Sequence, residues 1–312
     1  MPAVAARVLG LGQCCWDRIG LVRDWPGVDS KTELLRLVEQ GGGPVATALV
    51  VLARLGISVQ FCGRIGCDTE GRLISDDLQA EGVDCSLLQR DARGRSQTAM
   101  IIAEQGRGRR NVFWQRRQGD GIQVDERVET AIASAEILLL DDLDAEAALA
   151  AARIARAAGT LTVLDGGSLR PHSRELLPLI DHLVVSERFA RQWLPGAEPE
   201  AALMDLARSG GQVTVTLGER GCLSLVEGQP VRVPAFPVDA VDTTGCGDVF
   251  HAGYVYGLLQ EWPLVKILEF ASACAALKAR GPGGRFAPRR IDEVFDFLAR
   301  HAPDDTWSHA ED

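Results

Sequence analysis

Short apolar runs alternate with longer stretches whose apolar positions recur every three or four residues, and this alternation sets the first expectation. Val8–Gly12, Val59–Ile65, Ile137–Asp141, Leu161–Asp165, His182–Val185 and Val213–Leu217 are β-rich runs of buried-strand type. Between them, Pro44–Leu55 is helical, with proline at an early position and Gly56 as a stop. Glu70–Gln79 is a second helix ended by Gly82, and the alanine-rich Ala145–Ala158 a third. The last third is mostly helical: Val249–Leu259, Leu264–Arg280 and Ile291–Arg300. Strand–helix alternation of this kind predicts an α/β fold, a mostly parallel sheet covered by helices on both faces.

Two stretches break the alternation. Ile19–Gln40 and Arg95–Gln115 contain strand-like segments (Leu34–Val38, Thr98–Ala103, Asn111–Trp114) without intervening helices. They are expected to form antiparallel excursions, a small lid sheet over about 19–40 and 95–117 beside a single domain spanning 1–312. No internal repeat or low-complexity linker interrupts the chain, and only the tail after His301 reads as loose.

The 312 residues are 46% apolar, enough for a substantial core, and the net charge of −10 argues against a nucleic-acid partner held by overall charge. Basic residues are almost all arginine; lysine occurs only at Lys31, Lys266 and Lys278. The eight cysteines include the pair Cys14-Cys15 but no CxxC or Cys/His metal spacing. Reduced thiols in a cytoplasmic protein are therefore expected. The opening residues lack a basic start, Arg7 interrupts their apolar run, and no apolar run is long enough to span a membrane.

Candidate chemistry lies in the glycines. Gly10-Leu11-Gly12 follows a strand like a dinucleotide fingerprint, but the third glycine is missing. No GxxxxGK[ST] and no GxSxG occurs, which leaves P-loop and serine-hydrolase chemistry without support. Gly41-Gly42-Gly43-Pro44 opens a helix and reads either as a flexible turn or as a place where a polar ligand reaches free backbone N–H groups. Asp242-Thr243-Thr244-Gly245-Cys246-Gly247-Asp248 carries more. Gly245–Gly247 predicts a tight turn whose N–H groups converge on an anion at a helix start. Asp248 there is a helix cap, a base removing a hydroxyl proton during phosphoryl transfer, or both.

These residues resemble the PfkB (ribokinase-like) carbohydrate kinases. Asp242–Asp248 looks like the family's C-terminal signature, Gly41–Gly56 with Gly63-Arg-Ile-Gly66-Cys-Asp68 like its N-terminal one, and Val215-Thr216-Leu217-Gly218-Glu-Arg-Gly221 like its nucleotide-site strand and turn. The resemblance implies a Rossmann-like ribokinase fold with a small β lid and an ATP-dependent sugar kinase using Mg2+, with K+ activation left open. It implies that Asp248 is the base and that Gly245, Cys246 and Gly247 form the anion hole. Asp17, Asp29, Gly42, Gly43 and Thr47 would bind sugar, and Ser186, Thr216, Gly218, Gly221 and Thr243 the nucleotide. Family lids often pair between subunits, which implies a homodimer.

The chain also departs from the family pattern. Cys246 replaces the usual alanine, Thr47 a sugar-binding asparagine, and Pro44 another polar position. Ser186-Glu187-Arg188-Phe189 stands where Asn-x-x-Glu is usual, so Glu187 is the acidic residue left as a candidate for magnesium. Gly281-Pro-Gly-Gly-Arg285 and the other motifs resemble the sulfofructose kinase branch, then the ketohexokinases, although Leu143 stands where a sulfofructose kinase has arginine. Arg90, Arg93, Arg95, Arg107, Arg109, Arg110, Arg116 and Arg117 cluster in or beside the lid segments. They read either as a solvated basic hairpin or as a site for an anionic sugar, with a ketose or anionic ketose such as sulfofructose expected as acceptor. A nucleoside kinase using Phe113 and Trp114, and a non-catalytic sugar or nucleotide sensor, remain the alternatives.

Overall fold

The computed structural model describes residues 6–105 and 109–301. Arg107 and the tail beyond His301 lie outside the described residues. The first part of the chain runs β1 (Val8–Leu11), β2 (Cys15–Val22), β3 (Arg36–Gly42), α1 (Pro44–Arg54), β4 (Val59–Cys62), β5 (Arg64–Gly66), α2 (Thr69–Ala80), β6 (Gln89–Asp91), β7 (Thr98–Glu104) and β8 (Arg110–Gln115). The middle runs α3 (Glu126–Ser134), β9 (Ile137–Asp141), α4 (Ala145–Ala158), β10 (Leu161–Gly166), α5 (Ser173–Leu176), β11 (His182–Ser186), α6 (Glu187–Trp193) and α7 (Pro199–Leu206). It closes with β12 (Gln212–Thr216), β13 (Cys222–Val226), β14 (Gln229–Val233), α8 (Cys246–Leu259), α9 (Leu264–Ala279) and α10 (Ile291–His301).

The main sheet has the order β14-β13-β12-β11-β10-β9-β1-β4. Strands β4, β1, β9, β10, β11 and β12 are parallel, and β13 and β14 add an antiparallel edge. Alternate residues of one strand enter opposite cores: Leu139 packs with α1, α8, α9 and α10, while Leu138 and Leu140 pack with α3, α4, α6 and α7. The period-2 pattern thus builds one hydrophobic layer on each face of the sheet. Asp144 caps α4 by accepting from Ala147 N, and Gly159 ends it at φ 79°, a left-handed turn that glycine adopts without strain.

A second sheet, ordered β3-β2-β7-β8, forms the lid. It is mixed rather than wholly antiparallel: β2 and β7 run parallel, and the two outer pairs are antiparallel. Its inner side buries Ile19, Ala99 and Ile101 with Val38 against them; Leu37, Met100, Val112, Phe113 and Trp114 are exposed.

The run Val59–Ile65 is not one strand. It is interrupted at Gly63, where a side chain would meet the Phe61 ring at 2.5 Å, and β5 leaves the main sheet to pair with β6. The β13–β14 hairpin carries no Asn-Gly signal; its turn is Glu227 (φ 51°) and Gly228 (φ 77°), both left-handed as a type I′ connection requires. No helix among the described residues is long and apolar enough to cross a membrane.

Candidate active site

The C-terminal ends of the parallel strands share one edge, the position where open α/β sheets bind ligands. Asp141 ends β9 with Asp142 after it, Asp165 lies near the end of β10, and Ser186 and Thr216 end β11 and β12 as cross-strand partners. Helices α4 and α6 start at this edge directly after β9 and β11, and α8 starts beside it. His251 fixes the start of α8: its Nε2 lies 3.0 Å from the Val184 carbonyl, and its Nδ1 lies 2.7 Å from the Gly247 carbonyl and 3.3 Å from Asp165 Oδ2. The ring thus bridges the first turn of α8 to strands β10 and β11.

Gly245 caps α8 at φ 80°, and a side chain there would meet Gly284 Cα at 2.6 Å. First-turn N–H groups of a helix have no intrahelical acceptor, so those of Gly247 and Asp248 are left for an anion. Cys246 N instead closes a turn onto Thr243 O at 3.3 Å. Burial pushes the Cys246 thiol up to about 11, so it remains a neutral filler at the alanine position. Asp248 is half-buried just inside this turn. Its carboxyl is pushed up to about 7, by burial first and by Asp165 second.

The opposite wall belongs to α1 and β2. Gly43 precedes Pro44 at φ 99°, where a side chain would meet Cys14 Cα at 2.8 Å. Gly42 lets the buried Asp17 carboxylate lie against the start of α1: a Cβ there would come within 2.7 Å of Asp17 Cγ. Cys15 Sγ donates to Asp17 Oδ1 at 3.0 Å, and burial raises the Asp17 pKa. Thr47 is buried on α1, with Gly284 close to its methyl group. Asp17, Gly42, Gly43 and Thr47 therefore lie together around the start of α1, and Asp17 is near enough to Asp248 for their charges to interact. Asp29 does not join them; it is exposed on the β2–β3 loop at φ 56°.

Of the nucleotide candidates, Ser186 and Thr216 end neighbouring strands, and Gly218 and Gly221 form the turn after β12. Leu217 N donates to Gly221 O at 2.7 Å, closing a turn with Gly218 at φ 61° and Gly221 at φ 84°. Thr216 Oγ1 bonds the Val185 carbonyl at 3.4 Å, and Ser186 Oγ caps α6 by accepting from Phe189 N. Thr243 Oγ1 accepts from Arg110 Nη1 at 2.6 Å, a bond from the lid to the glycine turn.

A model of the pfkB family carbohydrate kinases matches residues 5–290. The chain belongs to that family. It is 30% identical over 297 residues to the ATP-dependent ribose-1-phosphate kinase of Halopiger xanaduensis, covering 94% of this chain and 98% of the relative. It is 29% identical over 269 residues to the ribokinase of Haemophilus influenzae, covering 82% and 87%. The structure of Arabidopsis thaliana ribokinase complexed with ribose and ATP superposes with a TM-score of 0.81 at 23% identity, covering 94% of this chain and 99% of that one. The ribokinase fold and ATP-dependent sugar kinase activity follow; relatives of this chain carry the names of ribose, ribose-1-phosphate, fructose and 5-dehydro-2-deoxygluconate kinases.

In this sugar kinase several expectations about individual residues change. Glu187 is held by Arg191 at 2.5 Å and Arg220 at 2.6 Å, and the Arg220 bond foremost keeps its carboxyl below the usual range. Its charge is already answered, so Glu187 does not suit magnesium. The buried Asp165 Oδ2, facing His251, makes no hydrogen bond. The arginine cluster also thins: Arg109 pairs with Glu104, Arg117 with Asp144, Arg116 covers Trp114 and Arg90 bonds Ser75. Arg110 is the one whose bond reaches the glycine turn.

Residues absent from the expectation complete the site. Asp242 Oδ1 accepts from Thr244 N (2.8 Å) and Thr244 Oγ1 (2.7 Å), and its Oδ2 accepts from Gly283 N (2.8 Å). In the amide orientation that matches donor to acceptor, Gln40 Oε1 accepts from Gly284 N at 2.8 Å and Arg285 N at 3.1 Å. Buried Arg285 donates to Ala46 O at 3.0 Å and faces Asp77 at 3.3 Å. The loop 281–285 thereby joins the starts of α1 and α8. Their available sequence signal was polarity in apolar surroundings: Lys278 inside helix 264–279, and Arg285 after a glycine run.

Proposed function

We propose that this kinase transfers the γ-phosphoryl group of MgATP to a primary hydroxyl of a small anionic sugar, a pentose such as ribose 1-phosphate or an anionic ketose such as sulfofructose. The observation that carries this reading is Arg110, whose guanidinium crosses from β8 to Thr243 and brings a cation to the glycine turn, where Asp248 interacts with the acidic Asp17 and Asp165. A relative named for ribose 1-phosphate supports an anionic acceptor.

Asp248 takes the hydroxyl proton. A carboxyl pushed up to about 7 is part-ionised at neutral pH and remains basic enough to accept. The backbone from Gly245 to Gly247 holds the charge that develops on the transferring group. Asp17, Thr47 and the N–H groups at Gly42 and Gly43 take sugar hydroxyls, and Asp29 joins only if its loop folds over them. Ser186, Thr216, Gly218, Gly221 and Thr243 line the nucleotide. Magnesium, when bound, neutralises phosphate charge. The lid, 19–40 and 95–117, closes over the acceptor and excludes water. Its exposed Leu37, Met100, Val112, Phe113 and Trp114 pair two copies into a homodimer. Exposed on β8, Phe113 and Trp114 give the nucleoside reading no base slot. Eight free cysteines suit a reducing cytoplasm.

The test is ADP release with ribose, ribose 1-phosphate, fructose, sulfofructose and nucleosides, for the wild type and Arg110→Ala. A charged hydrogen bond is worth about 1.5–3 kcal/mol, so kcat/KM for anionic sugars should exceed that for the neutral parents about tenfold or more. Arg110→Ala should erase the preference. A preference for neutral sugars, or one that survives Arg110→Ala, contradicts the reading.

A further inference from the structure

Lys278 has no exposed surface and lies on α9 among Cys274, Leu277 and Ala279. Burying an ammonium costs several kcal/mol unless its protons find acceptors, and an apolar side chain of similar volume would avoid that cost. Its acceptors are specific. Lys278 Nζ donates to the Asp242 carbonyl at 2.8 Å and to the Gly281 carbonyl at 3.0 Å. Asp242 starts the loop that becomes the first turn of α8, and Gly281 starts the loop that packs on Gly245 through Gly284. The ammonium therefore ties the backbone of the two loops that the Asp242 side chain ties through Gly283 N.

No carboxylate oxygen forms an ion pair with Nζ among the described residues, so the lysine charge is not cancelled locally. The titratable and charged groups that face it are Cys246, Asp242, Arg110 and Asp248, all of them around the glycine turn. Burial lowers the Lys278 pKa, and Cys246 and Asp242 oppose that shift. A positive charge beneath the N-terminus of α8 adds to the helix dipole at the place where phosphate would sit.

We propose that Lys278 is a built-in monovalent cation, whose ammonium holds the loops 242–247 and 281–284 in phosphate-binding geometry and makes nucleotide binding independent of any added monovalent ion. The inference rests on the reading of Gly245–Gly247 as the phosphate site. An ammonium among peptide carbonyls stands in for the kind of carbonyl cage that coordinates a potassium ion. Lys278 touches neither nucleotide nor sugar, so it is a positioning residue that acts through the two loops.

The experiment is isothermal titration of the full chain with magnesium and a non-hydrolysable ATP analogue. Wild type, Lys278→Ala and Lys278→Met are compared in tetramethylammonium, potassium and ammonium chloride at equal ionic strength. The wild type should bind equally in all three salts, within about twofold. Loss of the charge-assisted bonds should weaken both variants about tenfold or more in tetramethylammonium chloride. Potassium or ammonium should restore most of the loss in Lys278→Ala, which leaves room for the ion, and little in Lys278→Met, which fills it. Wild-type binding that rises more than about threefold with potassium overturns the inference, on the same affinity scale. So does wild-type affinity in the variants, or a loss that no cation restores. If neither variant folds, the wild-type salt comparison decides alone. A wild type that binds no nucleotide removes the phosphate-site reading and this inference with it; one that binds but responds to potassium removes only this inference.

Discussion

Asp242 and Gly283 meet across the two loops that close the site, with the Gly283 N–H donating to Asp242 Oδ2 at 2.8 Å. The other carboxylate oxygen takes two donors from Thr244, so one side chain sets the glycine turn against the loop 281–285. The first aspartate of the motif is thus a tie between loops, while Asp248 lies in the first turn of α8.

Asp242→Asn preserves shape but turns one accepting oxygen into a donor that faces a donor. An unsatisfied buried pair of this kind costs about 1–3 kcal/mol. The expected result is a fall in kcat/KM for MgATP of about tenfold or more, with Tm lowered by a few degrees. Unchanged kinetics in a folded variant would show that the turn holds its shape without the tie.

The buried Asp141 carboxyl is pushed up to about 7, by burial above all, although Gln13 N and Leu143 N donate to it. A folded-state pKa above the unfolded value near 3.8 means that the folded protein binds this proton more tightly. The stabilisation is complete below the unfolded value and is lost as pH rises toward about 7, a change of up to about 4 kcal/mol by linkage. Asp141→Asn should therefore flatten the dependence of Tm on pH between about 4 and 7 relative to the wild type. Parallel curves for the two proteins would place the titration elsewhere.

The parallel sheet was legible in the sequence because its strands are short buried runs and its helices carry glycine and proline punctuation. The start of α8 was legible because a glycine turn beside an aspartate has few other uses. The β13–β14 hairpin was not, since Glu227-Gly228 is a weak turn signal. Gly63 was hidden for another reason: the break it makes depends on β5 leaving the main sheet to pair with β6, some 25 residues on. The same holds for the site. Glu187 reads as a metal residue by position, but Arg220 reaches it only after β12 turns back toward α6. Arg110 and Thr243 are 133 residues apart, and nothing local to either marks the contact.

The central claim is that Asp248 removes the acceptor proton, and Asp248→Asn tests it most directly. Turnover of the best sugar found in the panel is measured together with calorimetric binding of the magnesium-bound ATP analogue. The amide keeps the size of the side chain but cannot accept the proton, so turnover should fall by about 10²- to 10⁴-fold while nucleotide binding stays within about threefold of wild type. Turnover close to wild type, with nucleotide still bound, would contradict the account.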